Sequence, residues 1–147
     1  MKIGCILWLS VLLCAPISVS GDHFTKFDEI RTLEWPDLMA RLDNVAINFQ
    51  SQSSDIVLYL IAYSGPHGCA GQANRLNLQA KNYLVAKRGV HSRRIILIDG
   101  GFLDKRMIDV WMLPSHVSPP QAAPNIDQKL IRLRNCRKRL PVRRRRA

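Results

Sequence analysis

Acidic residues are scarce in this chain: 11 Asp and Glu stand against 22 Lys and Arg, a formal charge of +11. Cysteine is scarcer still, at four residues, which excludes a disulfide-dense scaffold. The four histidines are scattered, and no Cys/His set stands at metal-ligand spacing, so no metal is expected. No nucleophile has an identifiable general base beside it, so neither catalysis nor a cofactor is expected. The glycine-rich stretch Gly65 to Gly71 lacks the Lys-Ser/Thr pair of a nucleotide-binding loop. Long apolar runs are also missing. The first, Ile3 to Ala15, is too short to cross a bilayer comfortably.

What is present is one domain's worth of chain. Its 147 residues are 47% hydrophobic, enough to bury a real core without staples. The charge is concentrated at one end. From Asn125 onward Lys129, Arg132, Arg134, Arg137, Lys138, Arg139, Arg143, Arg144, Arg145 and Arg146 stand against Asp127 alone, whereas Gly21 to Pro124 is nearly neutral.

The N-terminus reads as a secretory signal over residues 1–20. Lys2 supplies the positive start, Ile3 to Ala15 the apolar run, Pro16 a helix break, and Ser18-Val19-Ser20 the small residues a signal peptidase reads. An uncleaved anchor is the alternative; a lipoprotein signal fits less well, because Leu13 precedes Cys14. Cleavage after Ser20 removes Cys5 and Cys14 and leaves Cys69 and Cys136. In an oxidising compartment these two either pair in a disulfide or stay unpaired, one in a loop and one in the tail.

Phe24 to Phe27 is a candidate strand. Trp35-Pro36 opens a helix on which Trp35, Leu38, Leu42, Val45 and Phe49 form one face, ending near Gln50. The apolar run in Asp55 to Ser64 suits a strand covered on both faces. Ala73, Leu76, Ala80, Tyr83 and Leu84 line a second helix that Gly89 caps. Ile95 to Ile98 is a short strand, Gly100-Gly101 a turn, and Met107 to Leu113 the last strand. The expected fold is an α/β (α+β) sandwich of order β-α-β-α-β-β, with helices on one face of a small mixed sheet. Pro114 to Pro124 reads as a proline-rich extended spacer, and 125–147 as a basic tail.

From Phe24 to Pro114 the chain resembles the OmpA-like C-terminal domain. The similar segments, in order, are Thr25-Lys26-Phe27-Asp28, Leu42-Asp43-Asn44-Val45-Ala46, Ile61-Ala62-Tyr63-Ser64, Asn82-Tyr83-Leu84-Val85, Arg88-Gly89-Val90, Arg93-Arg94-Ile95 and Lys105-Arg106-Met107-Ile108-Asp109-Val110. The resemblance implies a peptidoglycan-associating domain of the periplasm and outer membrane. That family grips a diamino acid with an Asp after the second strand and an Arg in the second helix. Here Gly65 stands at the Asp position and Leu76 near the Arg position, with Arg75 one residue away. The resemblance thus implies the fold without the family's carboxylate grip.

Three glycines before a helix expose backbone N–H groups suited to an anion, so Gly65, His67, Gly68, Gly71 and Arg75 are the candidate ligand residues; a plain tight turn is the alternative. If Asp127 to Leu140 is helical, Ile126, Leu130, Leu133 and Leu140 share one face and basic residues the other, a pattern suited to an anionic surface. Arg143, Arg144, Arg145 and Arg146 then extend the charge beyond that helix. A solvated tail without a partner is the bland reading. Nucleic acid would be the intracellular partner of such a tail; export favours a cell-wall polymer or anionic lipid. The expected function is that of a non-catalytic envelope protein associating with a cell-wall or membrane polyanion. A protein–protein interaction module of an envelope complex is the alternative.

Overall fold

The structure, a computed structural model, describes residues 25–131. The leader and the tail from Arg132 onward, with Cys136, lie outside the described residues. Helix α1 spans Trp35–Gln50, with Pro36 in the first turn and Asp37 at its positive end. Leu38, Leu42, Val45, Ala46 and Phe49 recur at three- and four-residue spacing, and all are buried. Helix α2, Gln72–Arg88, is bounded by two glycines in the left-handed conformation, Gly71 (φ 66°) and Gly89 (φ 67°). Beyond its end the N–H groups of Gly89 and Val90 donate to the Val85 and Leu84 carbonyls at 3.2 and 3.0 Å. Val90 packs back into the core, which completes a glycine-terminated cap.

The strands are β1 (Asp28–Ile30), β2 (Ile56–Ser64), β3 (Ile95–Phe102) and β4 (Met107–Pro114). They form one mixed sheet in the order β1-β4-β2-β3, with β2 and β3 parallel and the β2–β4 and β1–β4 pairs antiparallel. The element order β-α-β-α-β-β and the placement of the helices against the sheet are as the sequence implies. Alternation on β2 separates two cores. Leu58, Leu60 and Ala62 face the helices with Ile95, Ile108 and Val110. Ile61 and Tyr63 face the other way with Met107, Ile98 and Trp111.

Several elements differ from the sequence reading. The first strand is Asp28–Ile30 and not Phe24 to Phe27, because pairing to β4 brings Asp28 opposite Val110 and Ile30 opposite Ile108. Gly100-Gly101 is not a turn: β3 continues through both glycines to Phe102. A register shift between Ala62 and Ser64 and φ of 78° at Gly101 mark an irregularity there, and the chain reverses only over residues 103–106.

The proline-rich segment is extended, but it is docked to the sheet and does not hang free as a spacer. Ala122 packs on the Ile61–Tyr63–Met107 cluster, and the Ala123 N–H donates to the Tyr63 hydroxyl at 3.2 Å. Asn125 and Ile126 both donate to the Phe102 carbonyl, at 3.1 and 3.3 Å. Burial, foremost, pushes the Tyr63 phenol above its ordinary range. The end of the segment, Ala122 to Pro124, thus rests on the sheet face opposite the helices. Of the stretch Asp127 to Leu140 considered as a helix, the described residues hold a 3-10 turn, Gln128–Leu130, and residues 132–140 lie outside them.

A polar clamp joins the two helices. The Tyr83 hydroxyl donates to Asp43 Oδ1 at 2.6 Å, and the Arg88 guanidinium pairs with both Asp43 oxygens and donates to the Tyr83 hydroxyl at 3.0 Å. The Arg88 hydrogen bonds hold the Asp43 carboxyl below its usual range, and the Asp43 hydrogen bond raises the Tyr83 phenol. A carboxyl depressed in the fold adds stability that is present above its unfolded pKa and lost as pH falls through the folded value. Asp43→Asn is therefore expected to lower the melting temperature at neutral pH. It should also flatten the acid limb, so that melts of variant and parent converge as the pH is lowered; parallel acid limbs would contradict the clamp.

Candidate functional site

The principal cleft lies where three connections meet: β1 to α1, β2 to α2, and β3 to β4. It encloses about 860 Å³ and is lined by residues from all three, including Arg31, Glu34, Gly65, His67, Lys105 and Arg106. The parallel pair β2–β3 ends here and α2 begins here, the crevice where α/β sheets ordinarily bind ligands.

Each wall has a local cause. In the β2–α2 connection the Gly68 N–H donates to the Gly65 carbonyl at 3.0 Å. A Cβ on Gly68 would stand 2.4 Å from Gln72 Oε1 and 3.0 Å from that carbonyl, so the turn depends on glycine there. Ser64 Oγ accepts from the Ala73 N–H at 3.1 Å, and the Gln72 N–H donates to the Cys69 carbonyl at 3.0 Å. The first two N–H groups of α2 are therefore used internally. The Gln72 side-chain oxygen, in contrast, is buried at the cleft without a hydrogen-bond partner among the described residues. It is a buried acceptor that the described fold leaves unpaired, as it does Asn77 Oδ1.

The charges are unevenly committed. Arg31 pairs with Glu29, and Asp104 accepts from Asn125 Nδ2 at 3.1 Å. Lys105 and Arg106 are exposed and form no ion pair among the described residues. Arg106 lies against Gly65: a Cβ there would come within 3.3 Å of Arg106 Cγ. A side chain at Gly65 would thus press on the stem of a cation.

Of the sequence-nominated residues, Gly65, His67 and Gly68 line this cleft. Gly71 caps α2, and Arg75 turns away: its Nη1 donates to the Ala70 carbonyl at 2.7 Å and its side chain borders a different cleft along α2. Leu76, half-buried, packs on the main core. Cys69, beside Gly68, is disulfide-bonded. Its sequence-suggested partner Cys136 lies outside the described residues. Of the ten tail cations, Lys129 is described and exposed. The other nine, Arg132, Arg134, Arg137, Lys138, Arg139, Arg143, Arg144, Arg145 and Arg146, lie outside the described residues, so the expected polyanion-binding tail is not part of the site seen here. Sequence reasoning missed Arg31, Glu34, Lys105 and Arg106 as cleft residues. The only local signal was the charged trio Asp104-Lys105-Arg106 between two strands.

Among the described residues there is no group of three or more His, Cys, Asp or Glu placed to hold a metal ion, and no helix long and apolar enough to cross a membrane. Set against models of protein families, against curated proteins and against solved structures, the chain gives no significant match to any of them.

Proposed function

We propose that this chain is a non-catalytic cell-envelope protein with a divergent OmpA-like domain, holding a cell-wall or membrane polyanion between the cleft and its basic tail. The observation that carries this reading is a pair of cations at the rim of the principal cleft, Lys105 and Arg106, without an acidic partner among the described residues. The order β-α-β-α-β-β supports the family expectation, and Gly65 against Arg106 explains why the ligand would be gripped by cations and not by an acid. Cys136 is the proposed partner of Cys69. Cys5 and Cys14 fall in the expected leader, and a Cys69–Cys136 bond would bring the basic run to the edge of the cleft.

The test is co-sedimentation of the full chain with purified peptidoglycan and with anionic lipid vesicles across a salt series. Each cation near an anionic surface contributes about 1 kcal/mol at low salt, so Lys105→Ala with Arg106→Ala should weaken binding about 30-fold. Gly65→Asp, which sets a carboxylate against Arg106, should weaken it about fivefold. Both losses should shrink at high salt, as screening shortens to about 3 Å at 1 M. Salt-insensitive binding untouched by these variants would overturn the reading. Salt-insensitive recovery of a stoichiometric protein partner would favour docking instead, for which the outer edge of β3 offers the exposed Ile96.

A further inference from the structure

The geometry points to a second binding site, for an acidic saccharide, in the cleft between Trp35 and the outer face of α2. It lies outside the cleft of the proposed function and stands without it. This cleft encloses about 520 Å³ and runs from Arg75 to Lys87 along α2, with Trp35 at its end. Trp35 is 40% exposed, a large indole left in water at the start of α1. It is not loosely held: its ring meets Tyr83 edge-on, centroids 5.7 Å apart at 85°. Tyr83 is in turn fixed by Asp43 and Arg88. A rigid, half-exposed aromatic is an apolar platform prepared before any ligand arrives.

The polar groups around it select the ligand. The amides of Gln79 and Asn82 line the cleft, and the protein uses neither in a hydrogen bond among the described residues. Each offers one acceptor and two N–H donors, the complement of neighbouring sugar hydroxyls, which both donate and accept. Among the described residues no Asp or Glu lines the cleft, whereas Arg75 and Lys87 do, so an anionic ligand is favoured over a neutral one. The cleft surface is mostly apolar, with Trp35 and Leu78 in its lining, and a bare hydrocarbon chain would leave its amides and cations without partners. An extended peptide would want a free strand edge, which a helix face does not offer. A pyranose ring meets every feature: its C–H face lies on the indole, its hydroxyls bond the amides, and its carboxylate pairs with Arg75 or Lys87.

The experiment is calorimetric titration of the full chain with oligogalacturonate, with a neutral oligogalactoside, and with phosphatidylglycerol vesicles. Oligogalacturonate should bind, and the neutral oligomer about fivefold more weakly. Trp35→Ala should weaken binding about tenfold, and Trp35→Phe much less. Asn82→Ala, at an exposed position, should weaken it severalfold with an unchanged melting temperature. In a Lys105→Ala, Arg106→Ala background, where any polyanion binding at the principal cleft is already reduced, Trp35→Ala should still weaken oligogalacturonate binding about tenfold, which separates this site from that cleft. The inference is overturned if Trp35→Ala and Asn82→Ala leave saccharide binding intact in the parent and in the Lys105/Arg106 background, or if only vesicle binding depends on Trp35.

Discussion

Gly100→Ala is expected to destabilise the domain by about 2 to 3 kcal/mol, through overpacking of a closed core. A Cβ at Gly100 would stand 2.5 Å from Cδ1 and Cε1 of Tyr63 and 2.9 Å from its Cγ, distances that force something to move. The Tyr63 ring has little room to do so. It is 2% exposed, packed with Ile61 and Met107, and its hydroxyl accepts from the Ala123 N–H. Displacing the ring breaks that bond and lifts the docked segment from the sheet. Backbone strain is not the cause, since Gly100 has no left-handed φ. Gly89→Ala provides the contrast: nothing lies within 4 Å of its Cβ, but φ is 67°, so its cost of about 1 kcal/mol would be conformational. Thermal melts should show a fall of roughly 10 °C for Gly100→Ala. In a Tyr63→Leu background, where the ring is gone, the same substitution should cost much less; an undiminished cost there would refute the steric account.

Gly100 also shows where sequence reading loses its hold. Two consecutive glycines read as a turn, and only the ring of Tyr63, 37 positions earlier in the numbering, gives one of them another purpose. The helices were legible because each carries its own evidence: period-matched apolar residues, Pro36 at one start, Gly89 at one end. Strand β2 was legible because burial on both faces leaves no polar residue in its middle. Strand β1 was not. Three residues, one of them buried, hold no period, and the strand exists through its pairing with β4. The docking of the proline-rich segment was hidden for a similar reason. Proline removes ladder donors, so its contacts are scattered single ones at Ala122, Ala123 and Pro124. For the cleft, the β2–α2 loop announced Gly65, His67 and Gly68. Arg31 and the pair Lys105 and Arg106 come from distant connections, and only the β1-β4-β2 arrangement brings those connections to one end of the sheet.

Cys69→Ser is expected to have the largest effect on stability, about 4 kcal/mol in the chain-entropy account, because the proposed pairing with Cys136 would close a ring of roughly 70 residues. Cys69 is disulfide-bonded, and the described residues hold no second cysteine. The proposed pairing makes a functional demand as well. Cys136 stands between Arg134 and Arg137, so the bond would hold the basic run beside Gly68, next to the cations of the cleft. Two weak electrostatic contacts on one polymer then act at high effective concentration. Cys69→Ser leaves the formal charge untouched, yet it should weaken polyanion binding about tenfold at low salt by letting the tail move independently. Cys136→Ser should reproduce both effects, and the double variant should add nothing to either. Peptide mapping without reductant should recover the Cys69 and Cys136 peptides joined, and reductant alone should lower the melting temperature of the parent but not of either variant. Recovery of Cys69 linked to another cysteine, or a melting temperature indifferent to reductant, would separate the tail from the cleft and leave Lys105 and Arg106 to hold the ligand unaided.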